Sequence, residues 1–143
     1  MKSVVNLDIN APRAKVAELF ADPRNNAKWM DDVEVQPVSG TLGLPGSKFR
    51  LISKSGTPDF LATVVARDLP NESKLFLEAP TVTVAITDRF VALTPGKTLL
   101  VSEEVFTFKG AIGRVTGIFA RRAIKNAHRK HMEAFKRFAE ISA

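Results

Sequence analysis

The sequence has no cysteine, no tyrosine, a single tryptophan (Trp29) and two histidines, His128 and His131. Without cysteine there is no disulfide framework, no thiolate nucleophile and no cysteine-ligated zinc or iron–sulfur site. That usage fits a reducing compartment, and we expect an unexported, cytoplasmic protein. Long apolar runs are missing too. No stretch approaches the roughly 18 apolar residues of a membrane span, and the opening Met1-Lys2-Ser3-Val4-Val5-Asn6 lacks the apolar core of an export signal. The usual catalytic signatures are also absent. No Gly-x-Ser-x-Gly elbow exists, Pro45-Gly46-Ser47-Lys48 lacks phosphate-loop spacing and reads as a turn, and Ser47 and Ser102 have no evident base. His128 and His131 are three apart, with Glu133 on the far side of the same helix, so no third metal ligand follows. Neither a metal nor a cofactor is expected. With no repeat and no Gly/Ser/Pro linker, residues 1–143 are expected to form one domain.

What is present is concentrated at the C-terminus. From Ala120 onward, Ala120, Ala123, Ile124, Ala127, His131, Ala134, Phe135, Phe138 and Ile141 recur at spacings of three and four, the pattern of an apolar stripe on a helix. Arg114, Arg121, Arg122, Lys125, Arg129, Lys130, Lys136 and Arg137 oppose only Glu133 and Glu140. That surplus equals the net +6 of the whole chain, so residues 1–110 balance to zero. A helix over 111–143 would be about 45 Å long and must lie along something wide. Upstream of the stripe, Ile112, Val115, Ile118 and Phe119 centre on another face and are interspersed with Gly113 and Gly117. A bend there, with the segment acting as a glycine-hinged lid or docking on loops, is the expectation.

The rest reads as strands. Ser3 to Ile9 alternates as a half-buried strand. Asn10-Ala11-Pro12 opens a short helix, with Asn10 as cap and Pro12 at the first helical position, and Asp22-Pro23 opens a second that carries Trp29. Segments 33–38, 48–54, 60–69, 74–79, 82–93 and 98–108 follow as antiparallel strands. They are separated by turn chemistry at Gly40–Gly46, Ser55-Gly56-Thr57-Pro58, Pro70-Asn71-Glu72, Pro80 and Pro95-Gly96. The predicted class is α+β: a seven-stranded antiparallel curved sheet, two short helices after its first strand, and a long C-terminal helix across it. Such a helix closes one side of a twisted sheet and leaves a hollow.

The opening Ile9-Asn10-Ala11-Pro12 with Val16 and Phe20, the Asp22-Pro23 and Trp29 pair, the ending Phe108-Lys109-Gly110 and the long terminal helix together resemble the START/Bet v 1-like (SRPBCC) superfamily. Within it the chain is most similar to the bacterial polyketide cyclase/dehydrase-like proteins. The resemblance spans nearly the whole chain but rests on structural motifs. It implies the helix-grip fold and a cavity for an apolar small molecule of lipid, quinone or polyketide type, in a group that runs from carriers to cyclases. It does not imply a reaction.

Candidate site residues follow from the last hairpin. Pairing Thr94 with Thr98 gathers the apolar residues on one face, sets Arg89 against Glu103 outside, and brings Asp88 opposite Glu104 inside; a one-residue shift pairs Asp88 with Glu103. Two facing carboxyls need a proton or a cation. His131, on the apolar stripe, is the candidate to supply it, whereas His128 falls at the stripe's edge. Asp88, Glu104 and His131 are thus the catalytic or anchoring candidates, and the alternative is that they satisfy one another. Trp29, Phe49, Phe60, Phe90, Phe106, His131 and Phe135 are candidate ligand-binding residues, against the alternative of ordinary core filling. Outside, the basic helix face is either plain solvated surface or a docking strip for an anionic membrane or a protein. It lacks aromatics to stack on bases, which places nucleic acid last.

Overall fold

Alternation sets the first strand: in β1 (Lys2–Ile9), Ser3, Val5 and Ile9 are buried and Lys2, Val4 and Asn6 face out. The computed structural model describes residues 1–54 and 59–142; the expected turn at Ser55-Gly56-Thr57-Pro58 lies outside them. Helix α1 (Arg13–Ala21) follows, then a 3-10 turn at Pro23–Asn25 that leads into the single turn of α2 (Asn26–Trp29). Pro12 sits at the N-cap of α1, not at its first helical position. Asn10 does not cap it; its backbone N–H donates to Glu140 instead, 2.8 Å away. Asp22 caps the 3-10 turn by accepting from the Arg24 N–H.

Six more strands follow: β2 (Val33–Ser39), β3 (Lys48–Ser53), β4 (Phe60–Asp68), β5 (Glu72–Ala79), β6 (Val82–Thr94) and β7 (Lys97–Phe108). All pairings are antiparallel, in the order β1-β7-β6-β5-β4-β3-β2, so the first strand closes the sheet beside the last. This is the helix-grip arrangement. The long helix α3 (Gly110–Ser142) starts at Gly110, whose φ of 71° turns the chain out of β7 in a conformation that costs glycine little.

Three further expectations are overturned. In the last hairpin, Thr94 pairs with Lys97 across a two-residue Pro95-Gly96 turn, with an irregularity between Ala92 and Thr94. Asp88 therefore stands opposite Ser102, Phe90 opposite Leu100, and Glu104 opposite Ile86. A two-residue slip leaves every side chain on its own face, so hydrophobic patterning could not choose between these registers. The observed one moves the two carboxyls out of direct opposition. Arg89 stands opposite Val101 and pairs with Glu72, while Glu103 pairs with Lys2.

The buried face of α3 is also not the expected stripe. Gly113, Gly117, His128, Met132, Phe135 and Ala139 are buried, whereas Ala123, Ala127 and Ile141 are exposed. His128, not His131, occupies the centre of the buried face. Helix α3 is unbroken, and its glycines are contact points and not hinges. A Cβ on Gly113 would lie 3.1 Å from the Thr81 carbonyl oxygen, and one on Gly117 would lie 2.5 Å from the Phe108 ring. At the other end Phe135 is enclosed by Phe20, Trp29 and Phe138, in a core shared with Phe90, Leu100 and Val16.

Gly117→Ala should lower the melting temperature despite alanine's helix preference of about 1 kcal/mol over glycine, because the methyl displaces the Phe108 ring. In a Phe108→Ala background the same change should be neutral or stabilising. A double-mutant cycle by thermal denaturation checks this, and equal effects in both backgrounds would show that the contact does not matter.

Candidate functional site

The register lines up polar groups across four strands. Arg67 on β4 pairs with Ser73 on β5, Ser73 with Asp88 on β6, and Asp88 with Ser102 on β7. In the adjoining row Ser3 of β1 pairs with Glu104 of β7. His128 comes in from α3 to join them. Its Nδ1 lies 2.8 Å from the Ser3 hydroxyl and its Nε2 lies 2.9 Å from the Ser102 hydroxyl. In either neutral tautomer one ring nitrogen donates to a serine oxygen and the other accepts from the second serine.

Beside this row is a cavity of about 450 Å³. Its apolar wall includes Phe49, Leu51, Phe60, Leu75, Leu77, Val84, Ile86 and Phe106 from the sheet. Trp29 and Met30 border it from the α2 segment, and Ile124, Ala127 and Met132 from α3. Its polar edge carries Arg67, Asp88, Ser102, Glu104 and His128. Helix α3 packs chiefly on β1 and β7, which is why the space opens over β3 to β6.

Of the sequence-predicted site residues, Asp88, Glu104, His131, Trp29, Phe49, Phe60 and Phe106 border the cavity. Phe90 and Phe135 do not; both are core residues packed against Phe20. His131 is on the wall, but its nearest charged influences are Lys130 and Asp31, and among the described residues no hydrogen bond or ion pair joins it to Asp88 or Glu104. The histidine that meets the polar row is His128. Sequence reasoning missed Ser3, Arg67 and Ser73, which only the register identifies, and left Ser102 without a base, where the structure sets His128 beside it. Arg67 donates to the Ala21 and Gly43 carbonyls and to the Ser73 hydroxyl, tying α1 and the β2–β3 loop to the cavity edge. Among the described residues no group of three or more metal-ligating side chains is placed to hold an ion.

Protonation follows from burial. Removal from water pushes the Asp88 carboxyl up to about 7, against the weaker opposing pulls of Ser102 and Arg67. Burial first, and the Asp88 charge second, raise Glu104 to about 8. His128 is driven down to about 4, mainly by burial and then by the neighbouring positive charges of His131 and Arg129. Near neutral pH, His128 is therefore uncharged and Glu104 keeps its proton. Their 3.7 Å approach is then not an ion pair. Among the described residues, three buried polar atoms of cavity-lining side chains lie within hydrogen-bond geometry of no partner: the indole Nε1 of Trp29 and both carboxyl oxygens of Asp88, whose neighbour Ser102 is near enough to pull on its pKa but has its hydroxyl bonded to His128.

These shifts set the pH dependence of stability. The folded pKa values of Asp88 and Glu104 lie above their unfolded values of 3.8 and 4.5, so their contribution is intact in acid and is lost as pH rises toward 7 and 8. His128 acts oppositely: its folded value lies below 6.5, so stability is lost as pH falls from 6.5 toward 4. Above pH 6.5 only the carboxyls matter among these three, and the melting temperature should fall by on the order of 5 °C between about pH 6.5 and 8.5. Asp88→Asn with Glu104→Gln should flatten that decline. An unchanged slope in the double variant would show that the two acids ionise freely in the fold.

A family model for polyketide cyclase / dehydrase and lipid transport matches residues 2–140. Among curated proteins none matches the sequence. The solved structure of TTHA0849 from Thermus thermophilus is similar, with a TM-score of 0.81 at 15% identity over 100% of this chain and 99% of that one. A START superfamily protein from Mycobacterium smegmatis matches with a TM-score of 0.82 at 14% identity over 99% of both chains. The di-domain ARO/CYC BexL from the BE-7585A biosynthetic pathway matches with a TM-score of 0.76 at 13% identity, over 96% of this chain and 45% of that one. At such identities the likeness is one of fold, whereas the family match runs along the sequence itself. The chain belongs to the polyketide cyclase / dehydrase and lipid transport family.

Proposed function

We propose that the protein binds a neutral, largely apolar small molecule whose one polar end carries a hydrogen-bond acceptor, a carbonyl or a hydroxyl oxygen. The observation that carries this reading is the set of buried, unpartnered polar atoms on Asp88 and Trp29 beside an apolar cavity. A buried polar group without a partner costs about 1–3 kcal/mol, and a ligand that supplies the partner recovers it. Glu104, protonated near neutral pH, offers an O–H donor, as Asp88 does when it holds its proton. The Trp29 N–H is a third donor. Phe49, Phe60 and Phe106 supply area without hydroxyls, which suits a planar or chain-like apolar body. Family membership supports the same class of ligand.

An environment-sensitive neutral naphthyl ketone, 2-propionyl-6-dimethylaminonaphthalene, is a suitable probe. It should bind saturably, one per chain, with blue-shifted emission. Ala127→Trp, which places an indole at the cavity wall from an exposed position, should abolish binding without unfolding the protein. Affinity should fall about tenfold from neutral pH to pH 9, where only about a tenth of Glu104 retains its proton. Glu104→Gln, a permanent donor, should remove the Glu104 share of that dependence, and Glu104→Gln with Asp88→Asn should remove nearly all of it. Absence of saturable binding, or full binding to Ala127→Trp, would overturn the assignment; a pH-independent affinity would remove Glu104 from it.

One observation favours a second reading, a cyclase or dehydratase-like activity. A carboxyl poised near 7 beside one poised near 8 can exchange a proton with a bound substrate without a large energetic penalty. In this reading Asp88 is the base and Glu104 the acid. Asp88→Asn would then stop turnover of a polyketone substrate while leaving probe binding intact. Turnover that survived Asp88→Asn would leave binding as the function.

A further inference from the structure

The first half of α3 is amphipathic in the inverted sense. Gly113 and Gly117 face the sheet, while Ile112 is 82% exposed, Val115 54%, Ile118 69% and Phe119 85%. These four residues, at spacings of three and four, share the solvent side of two consecutive turns. A single exposed apolar residue needs no explanation, but four large ones on one helical face mark a contact surface. Cations surround the patch: Lys109, Arg114, Arg121, Arg122, Lys125, Arg129 and Lys130 fall within residues 109–130, which contain no Asp or Glu. Among the described residues only Arg129 of this set has an acidic partner, Glu133 at 4.0 Å.

We propose that this face docks on an anionic lipid bilayer, with Ile112, Val115, Ile118 and Phe119 entering the acyl boundary and the arginines and lysines meeting lipid phosphates. The charge pattern decides among occupants. A second copy of the chain would set like-charged fringes against each other, with no acid in the segment to compensate them. An anionic bilayer supplies an apolar interior and negative charge together, and binding of such helices grows with both buried apolar area and electrostatic attraction. Ile124 and Ala127, on the next turns of the same helix, border the cavity, so docking would bring the ligand site close to the lipid surface. The inference does not depend on which ligand the cavity takes.

Vesicle flotation with the intact protein tests this. Wild type should float with vesicles of phosphatidylcholine and phosphatidylglycerol and stay behind with phosphatidylcholine alone. Raising the salt from roughly 0.05 to 0.5 M should weaken binding by about tenfold or more, as the Debye length shrinks. Ile118→Ser with Phe119→Ser should lower partitioning at least about tenfold at low salt through loss of buried apolar area. Arg121→Glu with Arg122→Glu should do the same. All four positions are exposed, so circular dichroism should show unchanged folds. Wild type that ignores anionic vesicles, or serine and glutamate variants that bind as well as wild type, would overturn the proposal. So would a stable wild-type dimer in light scattering that the serine variant breaks.

Discussion

The hydrogen bonds that join His128 with Ser3 and with Ser102 are the constraint on which the rest of the architecture turns. The two serines sit on neighbouring strands, β1 and β7, that are far apart in sequence, so one imidazole from α3 fixes both the position of the helix and its rotation. Rotation matters because the helix has other faces to offer. Three residues away, His131 would have presented a half-exposed ring; the turn that buries His128 also buries Met132, Phe135 and Ala139 and leaves the cationic residues outside. A buried imidazole with both nitrogens bonded to hydroxyls has no reason to ionise, in keeping with its pKa near 4.

From that anchor the cavity follows as geometry. Helix α3 touches the sheet closely at Gly113 and Gly117, where only hydrogen atoms fit, and again at the aromatic cluster around Phe135. The first lies against Phe108 of β7 and Thr81 of the β5–β6 turn, the second over the core built on Val5, Ile9, Phe90 and Leu100. Over β3 to β6 the helix does not pack down on the sheet, and Ile124, Ala127 and Met132 of α3 together with Trp29 of the α2 segment supply the remaining wall. Arg67 could have neutralised Asp88, yet its guanidinium is engaged by Ser73 and two backbone carbonyls. It lowers the Asp88 pKa only partly, and burial wins. The acid row therefore remains protonatable instead of forming a buried ion pair, whose desolvation would in any case offset much of its attraction.

The fold was legible because its signals are local and redundant: alternation in each strand, turn residues at each junction, and one long periodic helix. The candidate site was legible only in part. That Asp88 and Glu104 share the inner face follows from alternation, since any even register keeps them there. That Asp88 meets Ser102 and not Glu104 depends on two features together, the two-residue Pro95-Gly96 turn and the irregularity between Ala92 and Thr94, whose combined two-residue shift keeps every face and so escapes apolar patterning. The polar row through Arg67 and Ser73 depends on two further registers. On α3, alanines weighted the expected stripe as heavily as large residues. The better signal was His128, Met132, Phe135 and Ala139 at spacings of four, three and four, continuing back to the two glycines.

Those glycines also explain why the apolar residues between them point outward. A helix that must approach Thr81 and Phe108 closely has to put its smallest residues inward, which leaves the solvent face free to be anything polar. Solubility alone would favour Lys, Glu or Gln there. Isoleucine, valine and phenylalanine at 112, 115, 118 and 119 are thus not forced by packing, since the fold gains nothing from them where they stand. Nor are they forced by helix propensity, because two β-branched isoleucines and a valine are weaker helix formers than the residues they exclude. Side chains that serve neither the core nor the helix, and that work against solubility, are best accounted for by something outside the chain. The uncompensated arginines and lysines beside them give that partner its sign.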